Sequence, residues 1–254
     1  MSNEKRPRGR PPKFPPEVVR ERLIDAAIAT LLETGIHAGL ESITLDAAII
    51  NAGVPRGMAY KIWQDYELPP QDALRREVLV HLLNLPTLTG LGATWELLEE
   101  ELANLTIPTK ADSLEKRSEL VSELIRVVGF FNHQALDSSP EWRLYNAVRA
   151  VAITRSDVDP EIQKLLEQGE SQIIQLYAEL YESVSETFDV PLSESFTMHQ
   201  FSAAVYALNE GLTSRLSTCY ESIGIERTNS SGETKEWSLF AIGLEALVYQ
   251  FFDL

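Results

Sequence analysis

Residues 42–63, SITLDAAIINAGVPRGMAYKIW, constrain this chain more than any other stretch. Thr44 offers a side-chain oxygen to the free amides of a helix starting beside it. Leu45, Ala48, Ile49 and Ala52 fall at i, i+3, i+4 and i+7 and so make one apolar face of a short helix. Gly53 accepts the left-handed conformation that ends such a helix, and Val54 is an apolar residue in the turn. Pro55 suits the first position of a second short helix, expected over 55–62, and Trp63 closes the small core. Helices this short are marginal alone. The stretch from Glu17 supplies a partner: Val19, Leu23, Ala27 and Leu31 recur every four residues, Ile24 and Ile28 lie beside them, and Gly35 follows as a stop. The expected unit is a helix-turn-helix packed on a longer first helix.

The rest of the chain reads as helix. Pro69 and Pro70 open a helix to about Leu85, and further helices are expected near 93–106, 112–136, 140–155, 159–187, 194–221 and 233–252. Pro108, Pro140, Pro160, Pro191 and the polar run Asn229 to Gly232 separate them. No strand-like alternation of useful length and no internal repeat is present. The expected fold class is all-α, with a basic arm over 1–16, a three-helix domain over 17–66 and a larger helical domain over 67–254. No run of about 18 uncharged apolar residues exists, which argues against a transmembrane helix. The N-terminus leads into prolines instead of an apolar segment, unlike a secretory signal. Cys219 is the single cysteine, so neither an intrachain disulfide nor a cysteine-built zinc site is expected, and a reducing, cytoplasmic location suits the chain.

Charge divides the sequence unevenly. The whole carries a formal charge of −16, yet residues 1–65 hold nine Lys/Arg against eight Asp/Glu. The remainder holds thirteen against thirty. Lys5, Arg6, Arg8, Arg10 and Lys13 place five cations in KRPRGRPPKF, residues 5–14, with no acid among them. An acidic body repels a polyanion, so nucleic-acid contact is confined to the N-terminal quarter.

Residues 17–66 resemble the DNA-binding domain of the tetracycline-repressor (TetR) family. The residues that carry the resemblance are Ile43, Thr44, Leu45, Ala48, Ala52-Gly53-Val54, Pro55, Arg56, Gly57, Met58-Ala59, Tyr60 and Trp63. The resemblance implies that Pro55 to Lys61 form a recognition helix for the major groove of double-stranded DNA. Arg56, Gly57 and Met58 would face base edges. Tyr60 would donate its hydroxyl to a phosphate, Lys61 would lie beside the backbone, and Thr44 would cap a helix whose amides point at a phosphate. General chemistry is consistent with these roles: arginine chelates guanine O6 and N7, helix N-termini hold phosphates, and glycine admits a close backbone approach.

The chain departs from that pattern at three places. Pro55 replaces the usual Ser or Thr and removes a hydroxyl. Asp46 stands where a polar or basic contact is common; it either complements the helix dipole or accepts from a cytosine amine. The loop QDYELPPQDALRRE lacks the usual lysine, for which Arg75 or Arg76 is a substitute. Tyr60 has a second reading as a core tyrosine. The arm adds its own resemblance: Arg8-Gly9-Arg10-Pro11 is similar to the core of AT-hook peptides, which implies that Arg8 and Arg10 enter a narrow minor groove.

For the acidic body the resemblance implies a small-molecule effector and a homodimer. Helices 194–221 and 233–252 are the expected dimer interface, since Ala203, Ala204, Ala207 and Gly211 permit close approach and the last helix is apolar almost all round. Candidate ligand-lining residues are Trp95, Phe130, Phe131, His133, Trp142, Tyr145, Asn146 and Tyr177, which suit a largely apolar molecule. His37, His81, His133 and His199 are dispersed, and no phosphate loop or nucleophile elbow is present, so no catalytic residue, metal or cofactor is expected. The reading is a transcriptional regulator, a repressor released by its ligand. The alternative is a helical ligand-binding or scaffolding protein whose DNA module does not function.

Overall fold

The computed structural model describes residues 14–35, 43–84, 91–104, 113–153, 160–215, 224–228 and 232–253. The arm, including Arg8 and Arg10, lies outside them. The chain forms two compact units that divide between Leu82 and Leu83. The fold is all-α with one short two-stranded ribbon.

The N-terminal unit contains α1 (Pro16–Thr34), α2 (Leu45–Ala52), α3 (Arg56–Ile62) and most of α4 (Pro70–Asn84). Val19, Leu23, Ala27 and Leu31 on α1 are buried, as their four-residue spacing requires. Thr44 caps α2 by accepting from the Ala47 amide at 3.3 Å. Gly53 ends α2 in the left-handed region, at φ 63° and ψ 31°. Its amide donates to Ile50 O and the Val54 amide donates to Ile49 O, both at 3.2 Å. This double bond pattern is the Schellman turn, and the two apolar residues at its ends, Ile49 and Val54, are buried. Pro55 stands one place earlier than expected: it caps α3, which starts at Arg56.

Two polar clamps hold this unit. Gln71 of α4 grips the chain entering α2, donating to Ile43 O and accepting from the Leu45 amide, each at 2.7 Å. Arg75 adds a bond from Nε to the same Ile43 carbonyl at 3.2 Å. Glu77, also on α4, is buried. It accepts from Arg20 of α1 at 2.6 and 2.7 Å and from the Trp63 indole at 2.8 Å. Arg20 also donates to the Tyr66 hydroxyl at 2.8 Å. The hydrogen bond to Glu77 raises the Arg20 pKa further above its ordinary value.

The C-terminal unit contains α5 (Leu91–Asn104), α6 (Leu114–Leu124), α7 (Phe130–Ser138), α8 (Pro140–Ile153), α9 (Pro160–Phe188), α10 (Met198–Thr213) and α11 (Leu239–Phe251). A single π-turn, Ile125–Gly129, joins α6 to α7 without a break. At 29 residues, α9 is about 43 Å long. Its end is unusual: Asp189 has a positive φ of 51° without being glycine. Arg117 holds that residue through both its carbonyl (2.6 Å) and its carboxylate (2.8 Å). Helix α10 begins at Thr197 with a capping box closed by Gln200.

Two expectations need correction. The helix expected over 194–221 starts only at Met198, after the capping box. The helix expected over 233–252 starts at Leu239, capped by Ser238, because the residues before it pair as strands. These are β1 (Ile225–Thr228) and β2 (Thr234–Trp237), antiparallel, with Ile225 opposite Trp237 and Thr228 opposite Thr234. Four-residue strands are too short to show alternation. The ribbon also sets Glu226 against Glu236 and Arg227 against Lys235, pairs that repel across a sheet. Neighbouring groups relieve the cationic pair: Arg227 bonds to the buried Glu245 of α11 and lies over Trp237, and Lys235 reaches Glu123 of α6 at 3.2 Å.

Two predictions follow from this packing. Glu77→Ala strands the Trp63 indole and should destabilise the N-terminal unit by about 2–4 kcal/mol. Glu77→Gln keeps an acceptor and should cost clearly less. Denaturant melts that give the two variants equal losses below about 1 kcal/mol would refute this role. The second concerns alkali. Burial pushes the Tyr177 phenol up to about 12 and raises Tyr145, Tyr181 and Tyr206 from the ordinary value of 10.0. Each is a neutral acid that the folded state keeps protonated, so its contribution is intact below pH 10 and is lost as pH rises from 10 towards 12. Melting temperature should therefore fall steeply over that interval. A melting temperature that stays constant from pH 10 to pH 12 would contradict it.

Candidate functional site

The N-terminal unit carries one candidate surface. Helix α3 turns Ala59 inward, with Trp63 buried just beyond its end, and half-buries Met58 and Ile62. Its other positions, Arg56, Gly57, Tyr60 and Lys61, are exposed. Tyr60 is therefore not a core tyrosine; its side chain is 41% exposed. The exposed Pro55 leads into this row, and Thr44 spends its hydroxyl on the α2 cap. A Cβ built at Gly57 meets nothing within 4 Å, so nothing in the protein itself requires glycine there.

Asp46, in the first turn of α2, faces Arg56. One guanidinium nitrogen, Nη2, lies 2.8 Å from Oδ1 and 3.0 Å from Oδ2. The guanidinium carbon is 5.8 Å from the centre of the Tyr60 ring. Of the two loop arginines, Arg75 is turned inward to Ile43 and Asp72.

The C-terminal unit carries the second candidate, an apolar cavity of about 70 Å³. Its wall is built from Leu98, Val121, Val128, Phe201, Phe240 and Leu244, among others. The π-turn contributes Ile125, Val128 and Gly129 to that wall. A polar chain runs along one side. Asn132 donates to Thr94 at 3.0 Å and accepts from Tyr177 at 3.1 Å and from Asn209 at 2.9 Å. Asn209 Oδ1 lies 2.9 Å from His133 Nδ1, and the imidazole stacks on Phe240 at 5.5 Å.

The aromatic candidates picked from sequence do not converge on this cavity. Tyr177 lines it. His133 is buried beside it and joins the polar chain, without lining it. Trp142 and Asn146 line a separate surface depression together with Arg143 and Thr213. Tyr145 is buried and stacks on Trp142 at 5.6 Å. Trp95 and Phe130 are half-buried and Phe131 is exposed, and none of the three lines the cavity. The residues that sequence missed are mostly aliphatic and carry no chemical signal. Asn132 and Asn209 were detectable: asparagine is a poor helix former, and both stand within apolar helical stretches. Among the described residues, no group of three His, Cys, Asp or Glu gathers where it could hold a metal ion, and no helix is long and apolar enough to cross a membrane.

Comparison with known proteins adds little to this geometry. No family model matches the chain, and no curated protein does. Among solved structures, GusR of Salmonella enterica is similar, with a TM-score of 0.45 and 13% identity, covering 93% of this chain and 96% of that one.

Proposed function

We propose that this protein is a DNA-binding transcriptional regulator that acts as a homodimer and releases its operator when a largely apolar small molecule binds. The observation that carries the proposal is the α2–turn–α3 surface. A Schellman turn fixes two short helices, and the second exposes Arg56, Gly57, Tyr60 and Lys61 in one row. Gly57 has no internal steric reason to be glycine, which is understandable if another molecule's backbone comes close. In this reading Arg56, Gly57 and Met58 face bases, and Tyr60, Lys61 and the α2 N-terminus at Thr44 face phosphates. Arg8 and Arg10 of the arm enter the adjacent minor groove.

The other parts follow from the body. Exposed Ala207 and Gly211 on α10 and exposed Ala246 and Tyr249 on α11 offer a low-relief face for the same helices of a second copy. A dimer places two α3 helices on the two halves of a palindrome. The cavity would take the effector, and its aliphatic and aromatic wall favours a molecule with few polar groups. An effector that prefers the conformation with low DNA affinity lowers operator occupancy by that preference, and in this reading the protein is a repressor.

Selection of bound duplexes from a random pool tests the whole reading and should return a palindrome. Arg56→Ala should then relax preference at one base position by about 1–3 kcal/mol. Lys61→Ala should weaken all sequences evenly and reduce the salt slope by about one. Deleting residues 1–13 should also weaken binding and flatten that slope. Gly57→Leu gives the sharpest separation: the fold has room for the side chain, so melting should hardly change while DNA binding collapses. A Gly57→Leu protein that binds DNA like the wild type would refute the placement of α3.

A further inference from the structure

We infer that Asp46 is a specificity-determining residue that acts by neutralising and orienting Arg56, so that the guanidinium presents one open fork to a guanine; this rests on the DNA-binding reading above. The two residues come from different helices, Asp46 from the first turn of α2 and Arg56 from the start of α3. Both are well exposed, at 60% and 67% of their side chains, on the surface that α3 presents.

The geometry of the contact matters more than its strength. A guanidinium has five N–H groups, arranged as two forks: Nη1 with Nη2, and Nη2 with Nε. Nη2 belongs to both forks. In this structure Nη2 meets both carboxylate oxygens, at 2.8 and 3.0 Å. The two oxygens of one carboxylate lie close together, whereas the two Nη2 hydrogens diverge, so a single N–H is shared between them. The fork that uses this hydrogen is taken by Asp46, and the other fork stays open for a base, its direction set by the pair.

The four bases fill the open fork unequally. Guanine offers two acceptors in the major groove, O6 and N7. Adenine offers one acceptor and a donor, thymine one acceptor and a methyl group, and cytosine a donor. Only guanine engages both donors of the fork. A chelated guanine is worth roughly fivefold to a hundredfold. An exposed ion pair is worth less than about fivefold in an equilibrium constant, enough to bias the direction of the guanidinium without outweighing the base. To a phosphate, the pair presents no net charge, so Arg56 adds little to binding at arbitrary sites. The Tyr60 ring lies beside the guanidinium.

The dipole reading of Asp46 accounts for an acid in the first turn of α2 but not for its grip on Arg56. A direct reading, with Asp46 accepting from a cytosine amine, predicts a different base position. These alternatives separate in one experiment on the full chain. Wild type, Asp46→Asn, Asp46→Ala, Arg56→Ala and Asp46→Asn/Arg56→Ala are each subjected to duplex selection. Each is then titrated with salt against the selected duplex, a version with that guanine replaced, and a random duplex. We expect both Asp46 variants to melt like the wild type, since the site is exposed. They should bind the random duplex several-fold tighter at low salt, with a salt slope steeper by about one per half-site. They should lose at least about fivefold of the preference for guanine at the position that Arg56→Ala relaxes. In the Arg56→Ala background, Asp46→Asn should leave base preference unchanged.

Unaltered guanine preference in both Asp46 variants would overturn the inference while leaving the DNA-binding reading intact. Lost preference at another base position would overturn it too, in favour of direct reading by Asp46, and so would an effect of Asp46→Asn on base preference without Arg56. A wild-type protein that enriches no duplex overturns both readings.

Discussion

A carboxylate cannot stay ionised inside a protein unless donors surround it, and Glu77 organises the N-terminal unit for that reason. Its donors come from the two places that the unit must bring to α4: Arg20 on the first helix and Trp63 just beyond the third. The Trp63 indole fixes where α3 ends, and the Schellman turn at Gly53 fixes where it begins. Gln71, two turns earlier on α4, fixes the entry to α2 through Ile43 and Leu45. The exposed row on α3 is thus set by polar bonds from α1 and α4, not only by the few apolar contacts that a seven-residue helix makes. Removing a partner from such a cluster costs more than the cluster contributes over an apolar replacement. What it provides is a single angle for the helix that carries Arg56 and Tyr60.

The C-terminal unit uses the same physics without net charge. Asn132 sits among α5, α9 and α10 and bonds to all three, through Thr94, Tyr177 and Asn209. Buried amides have few ways to satisfy their donors and acceptors at once, so the chain allows one register of these helices. The same residues border the cavity: Thr94, Asn132 and Tyr177 are part of its wall. A molecule entering it meets groups whose hydrogen bonds are already made within the protein. It gains mainly by replacing empty space with van der Waals contact. The π-turn, where the helix from Leu114 to Ser138 departs from regular geometry, is part of the same wall.

The helix-turn-helix was legible because every signal in residues 42–63 was local. Thr44, Gly53 and the i, i+3, i+4 spacing act within a turn or two, and the structure places the α2 cap and stop where these residues call for them. What escaped the sequence were partners distant along the chain. Nothing near Glu77 in the sequence points to Arg20 and Trp63 as its partners, and Asp46 acquires its partner only when the turn brings Arg56 round. The ribbon before α11 was missed for a related reason. Its residues repel across the ladder, and it is held by Glu245 and Glu123, which belong to helices elsewhere in the sequence. The cavity was misread residue by residue, since aromatic side chains drew attention while leucine, valine and isoleucine built about half of the wall.

The net charge of −16 gains a meaning from the Asp46–Arg56 pair. If the proposed DNA binding holds, an acidic protein has few cations for a polyanion, and spreading them evenly would give weak attraction to any DNA. This chain instead concentrates five in residues 5–13 and exposes Lys61 on α3. Arg56, the exposed cation best placed to read a base, is neutralised by its neighbour. In the proposed role, attraction and reading are assigned to different residues. The arm and Lys61 would supply most of the attraction to phosphate. Arg56, paired with Asp46, would add little to it and would present its open fork where a base offers two acceptors. On a chain with so little positive charge, this division would let discrimination be adjusted at Asp46 without changing the other cations.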